Sequence, residues 1–312
     1  MNVLSLFDGM SCGQIALTEL GVFPDNYYAS EVDKHAIKQT QLNFPDTKQL
    51  GSVTELDGFS LPHIDLLMGG SPCQSFSFAG KRVGMVTTDN VKITDLEQYM
   101  DLKRNGFRFE GQSYLFWEYV RVLTEIRLIN PDVKFLLENV KMAKNWEKVI
   151  TGVLGVEPIL INSNLVSAQN RKRLYWTNIE GVTVPEDKGI LLGDILEDDV
   201  PEKYYLSEKA VDGIKAHSAA QKEKGNGFGA RLAAHKANTL LARSDGWNNL
   251  ISPDLFVNRT DRLRKLTPDE CARLQTVPDW YTWECSDTQQ YKMCGNGWTV
   301  KVIEHILTNL FK

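Results

Sequence analysis

The sequence predicts an α/β protein built on a doubly wound sheet, with a second, smaller and loop-rich domain. Three observations carry that prediction. The chain opens on strand, glycine loop, helix, strand; short apolar runs then alternate with helical patterns to about residue 180; and between Gly181 and Thr260 the alternation dissolves into Gly, Asn, Ser, Asp and Lys with short apolar pieces.

Residues 3–7 are apolar and short enough for a strand, followed by the loop Asp8-Gly9-Met10-Ser11-Cys12-Gly13 and a helical pattern through Leu20. A second strand is expected at 27–32 and a helix at 34–43. Further strands read at 64–68, 134–137, 158–162 and 174–179, with helices at 113–129 and 145–154. Helical character returns at 267–275, where Thr267 can cap the N-terminus, Pro268 fits the first turn and Glu270 stands three residues on. A last helix is expected at 300–311. These elements assign 1–180 plus 261–312 to one domain and 181–260 to the small one.

At 312 residues, with 42% hydrophobic and 24% charged residues, the composition is that of a globular protein. No apolar run reaches about 18 residues, so no membrane span is expected, and the opening residues lack the basic region of a signal peptide. Five cysteines, odd in number and without a C-x-x-C pair, point to reduced thiols, a cytoplasmic setting and no metal site. The net charge is −5, but residues 201–265 hold 12 Lys and Arg against 7 Asp and Glu, a local +5 that leaves −10 elsewhere. Such a split fits a basic docking surface on an acidic body, and equally a solvated lysine-bearing face.

Chemistry is concentrated at the ends of predicted strands. The first loop has glycines at 9 and 13 without a complete G-x-G-x-x-G, and Asp8 would repel a pyrophosphate. Glu31, 22 residues after Gly9, stands where an acid binds ribose hydroxyls. An acidic loop followed by a ribose acid suits a positively charged nucleoside without phosphate, and S-adenosylmethionine meets that description better than NAD. In Gly69-Gly70-Ser71-Pro72-Cys73-Gln74-Ser75-Phe76-Ser77 a cysteine follows a proline just past a buried strand, where its sulfur is presented rather than packed. Glu138 ends another strand, and Gln169-Asn170-Arg171-Lys172-Arg173 leads into a third, with Arg171 and Arg173 on one face if that stretch is extended.

Together these residues resemble the cytosine-C5 DNA methyltransferase family along nearly the whole chain. The resemblance rests on Ser5-Leu6-Phe7-Asp8-Gly9, Gly70-Ser71-Pro72-Cys73-Gln74, Glu138-Asn139-Val140, Gln169-x-Arg171-x-Arg173, the run from Arg264 to Gln275, and Gly295-Asn296, in the family's order. The Phe7-Asp8-Gly9 loop and Gly297-Trp298-Thr299-Val300 look closer to the animal de novo enzymes, while the Arg264 to Gln275 block looks bacterial or phage-like. The resemblance implies a Rossmann-like, S-adenosylmethionine-dependent methyltransferase sheet with a target-recognition domain at 181–260.

It also implies roles. Cys73 would add to C6 of an extruded cytosine, Glu138 would hold N3 and the amino group, Arg173 would contact O2, and Arg171 would organise the site and a nearby phosphate. The cofactor would meet Phe7, Asp8, Gly9, Met10, Ser11, Cys12, Glu31, Val32, Ser52, Val53, Gly70, Pro72, Leu115, Asn296 and Trp298. DNA contacts would come from Gln74, Ser77, Lys81, Arg82, Arg231, Lys236, Thr239 and Arg243. Two departures stand out: Ser52 is near where the family usually has an adenine-binding aspartate, and Ala79 replaces a serine that in some relatives fills the vacated base position. The segment 81–112 would be a mobile loop closing over the bound base.

The expected activity is methylation of C5 of a cytosine in a short sequence of double-stranded DNA, by a monomer in the cytoplasm of a bacterium or a phage-infected host, with a cognate restriction endonuclease as a partner to look for. Two other readings stay open from sequence: a tRNA cytosine-C5 methyltransferase, and a catalytically silent DNA-binding relative.

Overall fold

The computed structural model describes residues 1–72, 91–107, 109, 111–223, 235–242, 249–251 and 262–312. Among these, seven strands form one sheet: β1 (Asn2–Leu6), β2 (Asn26–Ser30), β3 (Lys48–Gln49), β4 (Leu66–Gly70), β5 (Lys134–Val140), β6 (Ile159–Asn162) and β7 (Lys172–Thr177), in the order β3-β2-β1-β4-β5-β7-β6. Strands β3, β2, β1, β4 and β5 pair in parallel, whereas β7 runs antiparallel to β5. The chain winds outward from β1 to β2 and β3, then returns to β4 on the other side. That reversal opens a crevice beyond the carboxyl ends of β1 and β4, where open α/β sheets bind ligands.

Strands β1, β4 and β5 are buried almost end to end, as strands covered on both faces must be. Helices α1 (Cys12–Glu19), α2 (Lys34–Asn43), α4 (Leu115–Ile129) and α5 (Lys144–Leu154) accompany the sheet. Phe116, Trp117, Tyr119, Val122 and Leu123 of α4 enter the core with Leu4, Leu6, Leu67, Phe135 and Leu137. The packing of α4 explains Gly69. A Cβ there would lie 2.9 Å from the Tyr119 ring and 3.2 Å from the Leu6 carbonyl oxygen.

Several elements depart from the sequence expectation. Strand β4 lies two residues further along than 64–68 and includes the glycine pair, because β1 and β5 flank it and the ladder continues through Gly69↔Leu137 and Gly70↔Glu138. Strand β7 pairs antiparallel with β5, a direction that its apolar run does not specify. The segment expected to be a mobile loop contains a helix: α3 (Leu96–Arg104) starts at Asp95, whose carboxylate accepts from Gln98 N, and it buries Tyr99. Tyr99 Oη and Lys103 Nζ both donate to the buried Glu118 carboxylate of α4. In the region expected to be loops lies α6 (Glu208–Glu223), and α7 (Pro268–Leu274), α8 (Asp287–Asn296) and α9 (Val300–Leu307) follow. The predicted cap of α7 is present as a full capping box between Thr267 and Glu270.

The chain divides into two compact units, the first comprising Met1–Ile161, Lys172–Val184 and Glu304–Lys312, the second Asn162–Arg171 and Pro185–Ile303. Residues 262–303 thus group with the segment that precedes them. Among the described residues no helix is long and apolar enough to cross a membrane.

Candidate active site

In the first unit, the sheet edge beyond β4 and β5 gathers the charged residues. Glu138 stands opposite Tyr175 and Val140 opposite Arg173, so Glu138 and Arg173 are diagonal neighbours on one face of the β5–β7 ladder. Their side chains form an ion pair, Arg173 Nε to Glu138 Oε1 at 2.7 Å, with only 13% and 10% of the two side chains exposed. The contact is ionic, and among the described residues this buried oxygen has no hydrogen-bond partner. An unsatisfied acceptor beside a guanidinium is costly unless something else donates to it.

Gly70 pairs with Glu138 across β4 and β5, so the chain leaving β4 runs past that carboxylate. Asn139 secures it there: Nδ2 donates to Ser71 Oγ at 3.0 Å and to the Ser71 carbonyl at 3.3 Å. Asn139 is fully buried, and its place between Glu138 and Val140 in the sequence gives no sign of this bond. Cys73, Gln74, Ser77, Lys81 and Arg82 lie outside the described residues, two positions and more beyond Ser71.

At the carboxyl end of β1 the backbone is unusual. Phe7 (φ 59°), Gly9 (φ 58°) and Ser11 (φ 65°) all adopt left-handed conformations, and the two that are not glycine each store of order 1–3 kcal/mol of strain. Glu31 holds the turn: Oε2 accepts from Gly9 N at 2.8 Å, and Oε1 accepts from Val32 N at 2.7 Å and Asp33 N at 2.8 Å. Asp8 is 8% exposed. Its Oδ1 accepts from Tyr27 Oη at 2.8 Å while Oδ2 has no hydrogen-bond partner. Burial pushes the Asp8 carboxyl up to about 6, against the opposing pull of the Ser5, Ser11 and Tyr27 hydroxyls.

The other first-unit residues expected around a cofactor fall at the same sheet edge or in the loops that follow it. Met10 and Cys12 are buried, Cys12 as the first residue of α1 and Met10 two positions before it. Val32, just after β2, is an apolar side chain 72% exposed among the described residues. Ser52 Oγ is 2.7 Å from Thr54 Oγ1 in a tight turn, and Val53 is buried next to it. Gly70 and Pro72 lie at and just past the end of β4, and Leu115 opens α4.

In the second unit Arg171 differs from the expectation that it shares a site face with Arg173. The strand begins only at Lys172, and Arg171, 3% exposed, turns its guanidinium onto the carbonyls of Leu240, Gly295 and Gly297 at 3.1, 3.1 and 2.9 Å. Lys236 and Thr239 are likewise engaged locally. Lys236 Nζ donates to the Asn164 and Ser167 carbonyls, and Thr239 Oγ1 to the Asn170 carbonyl. Asn296 is exposed at the end of α8 and Trp298 is 9% exposed just beyond it. Arg231 and Arg243 lie outside the described residues.

The chain is 32% identical over 311 residues to the Type II methyltransferase M1.ScrFI of Lactococcus lactis subsp. cremoris, covering 91% of this chain and 72% of that protein. It is 32% identical over 339 residues to the Type II methyltransferase M.HpaII of Haemophilus parainfluenzae, covering 96% and 86%. Among solved structures, a mutant DNMT2 of Spodoptera frugiperda superimposes with a TM-score of 0.68 over 100% of this chain and 99% of its own, at 19% identity, a likeness of fold. The family described as C-5 cytosine-specific DNA methylase matches residues 1–312. The chain therefore belongs to that family, as a DNA cytosine-C5 methyltransferase whose methyl donor is S-adenosylmethionine.

Proposed function

We propose that the protein methylates C5 of a cytosine flipped out of a short sequence in double-stranded DNA, through a covalent bond between Cys73 and C6 of the base. The observation that carries this reading is the nearly buried Glu138–Arg173 pair, at the sheet edge past which the chain runs on to Cys73. Cytosine C5 is a weak nucleophile. Addition of the Cys73 thiolate to C6 forms a C–S bond and makes C5 enamine-like, with Glu138 holding N3 and the exocyclic amino group and Arg173 holding O2 as charge develops. S-adenosylmethionine supplies an electrophilic methyl group that leaves its sulfonium for C5. Loss of the C5 proton then drives out the thiolate and restores the aromatic ring. A base stacked in a duplex is out of reach of these groups, so it must be extruded. Arg171 acts in this reading as a support for the site rather than at the base.

The first-unit residues fit the cofactor. An electron-rich carboxylate with an unpartnered buried oxygen, Asp8, suits a cationic ligand and disfavours a pyrophosphate. Glu31 retains acceptor capacity after its three backbone contacts, enough for a ribose hydroxyl. The bare side chain of Val32 next to it offers a flat ring an apolar surface. Phe7, Gly9, Met10, Ser11, Cys12, Ser52, Val53, Gly70, Pro72 and Leu115, with Asn296 and Trp298 of the second unit, complete the residues we assign to cofactor binding. Ser52 replaces the usual aspartate with a hydroxyl that already faces Thr54.

Asp8 makes the binding pH-dependent. Its carboxyl is raised in the folded, ligand-free protein, so folding takes up a proton between about pH 4 and 6, and the stability this contributes is lost as pH rises through about 6. A cationic cofactor favours the ionised form, so its affinity should fall as pH drops below about 6. Calorimetric titration with S-adenosylmethionine between pH 5 and 8 checks this. Asp8→Asn should flatten the profile, and an unchanged acid limb in that variant would remove Asp8 from the account.

For DNA we assign recognition to the segment 181–260, with Thr239, Lys236, Arg231 and Arg243 as its candidate contacts and Gln74, Ser77, Lys81 and Arg82 as contacts beside the flipped base. Relatives named Type II methyltransferases support a cytoplasmic role beside a cognate restriction endonuclease. The decisive experiment traps the adduct. Duplex DNA carrying 5-fluorocytosine at the target should become covalently attached to the protein in the presence of S-adenosylmethionine, because fluorine cannot leave C5 as a proton does. Cys73→Ser should form none, and an adduct in that variant would show that another residue is the nucleophile. Transfer to tRNA but to no DNA would overturn the substrate.

A further inference from the structure

Four buried polar side chains of the second unit converge on one place, and the proposed chemistry puts none of them on the base. Gln169 and Gln275 are fully buried, Thr299 is 1% exposed and Arg171 is 3% exposed. Gln275 Nε2 donates to the carbonyls of Cys294 and Gly297, and its Oε1 accepts from Thr299 Oγ1 at 2.9 Å and Gln169 Nε2 at 3.3 Å. Gln169 Oε1 accepts from Leu240 N at 2.7 Å, while Arg171 spans the carbonyls of Leu240, Gly295 and Gly297. The two backbone segments so joined, 237–242 and 294–299, also meet directly. A Cβ on Gly295 would stand 2.2 Å from the Leu241 carbonyl oxygen, which no side chain could accommodate.

One of these segments carries Thr239, assigned above to DNA recognition. The other carries Asn296 and Trp298, assigned to the cofactor, each between residues whose backbone or side chain the cluster grips. We propose that Arg171 is a positioning residue that, through this buried bracket, makes target-DNA binding and cofactor binding mutually reinforcing. The proposal rests on the site assignments under the proposed function. Its physical basis is that carbonyls held by a planar guanidinium and a buried amide cannot shift on one segment without displacing those of the other. A fully satisfied polar network in a dry interior has few arrangements of equal energy. Whatever orders one segment lowers the cost of ordering the second.

The readout is a ratio: the affinity for S-adenosylhomocysteine with saturating duplex divided by that without it, on the full-length protein. The duplex carries the target sequence mapped by bisulfite sequencing of a plasmid methylated by the pure protein. In the unaltered protein the ratio should be about fivefold or more. Arg171→Lys replaces a rigid fork by a flexible point charge and should bring the ratio close to one. Thr299→Val, which removes only the hydroxyl facing Gln275, serves as a milder second variant and should lower the ratio part of the way. Denaturant unfolding is followed in parallel. A variant that is less stable but keeps the full ratio would show a purely structural bracket, and a ratio of one in the unaltered protein would equally overturn the coupling. Trp298→Ala separates the two levels: if it leaves S-adenosylhomocysteine affinity without DNA unchanged, the site assignment has failed, whereas weakened binding with undiminished coupling in Arg171→Lys means that the bracket alone has failed.

Discussion

Glu138→Gln should lower kcat by two to four orders of magnitude while leaving the fold and the KM for cofactor nearly unchanged. The expected loss follows from what a carboxylate can do here and an amide cannot. As the thiolate adds to C6, the ring gains electron density that is relieved when N3 takes a proton from solvent, and a carboxylate facing N3 accepts the resulting N3–H and stabilises it. An amide of the same shape presents either a carbonyl or an NH2 to N3 and has no negative charge to offer. The variant should fold because Glu138 sits in a ladder whose backbone bonds to β4 and β7 do not depend on its side chain. Arg173 loses its ion partner, but its Nη1 still donates to the Lys172 carbonyl at 3.0 Å. Single-turnover transfer of labelled methyl groups separates the chemical step from product release. A rate within a few-fold of the unaltered enzyme would remove Glu138 from the chemistry. If covalent trapping on 5-fluorocytosine slows in parallel, the defect lies at or before thiolate addition, where the N3 proton is first needed.

Most of the sheet is legible in the sequence because its strands are apolar runs bounded by glycine, proline or polar residues, and α2 spans the residues its pattern predicts. The direction of β7 is not, since an apolar run carries no sign of which way its neighbour points. That direction matters for the site: it places Arg173 diagonal to Glu138, so two motifs far apart in the chain become one ion pair. The helix α3 was hidden because its single fully buried aromatic, Tyr99, and its lysine both serve a charge, Glu118, on another helix. Leu96, Met100 and Leu102 also pack against the core, but nine residues make too short an apolar pattern to stand out within a long polar segment. Arg171 shows the opposite failure. A basic residue in a basic run reads as surface or phosphate contact, and only tertiary structure could reveal three carbonyls waiting for its guanidinium. Gln275 and Asn139 belong to the same class: buried amides whose value lies in backbone groups remote in sequence.

Glu270→Ala should destabilise the second unit by about 3–5 kcal/mol, the range for removing one partner of a buried ion pair. Arg264 Nη1 and Nη2 reach the two carboxylate oxygens of Glu270 at 2.7 Å each, with Arg264 5% exposed and Glu270 fully buried. The same carboxylate accepts from Thr267 N at 2.8 Å to close the capping box of α7, and from Glu197 N at 2.9 Å. Truncation therefore strands a guanidinium in the interior and orphans two amides at once. Urea unfolding of the second unit, followed by the fluorescence of Trp280 and Trp283, measures the loss. The pair itself need not be worth that much, because two charges must be stripped of water before they meet. The double variant Arg264→Met, Glu270→Leu tests this. It removes both charges and should recover a large part of the stability lost in Glu270→Ala, falling short by about 1 kcal/mol for the missing cap. Equal loss in the single and double variants would mean that the carboxylate acts through its backbone contacts and not through Arg264. In that case the isolated bridge between the Arg264 and Ile251 backbones would be held without help from the Arg264 side chain.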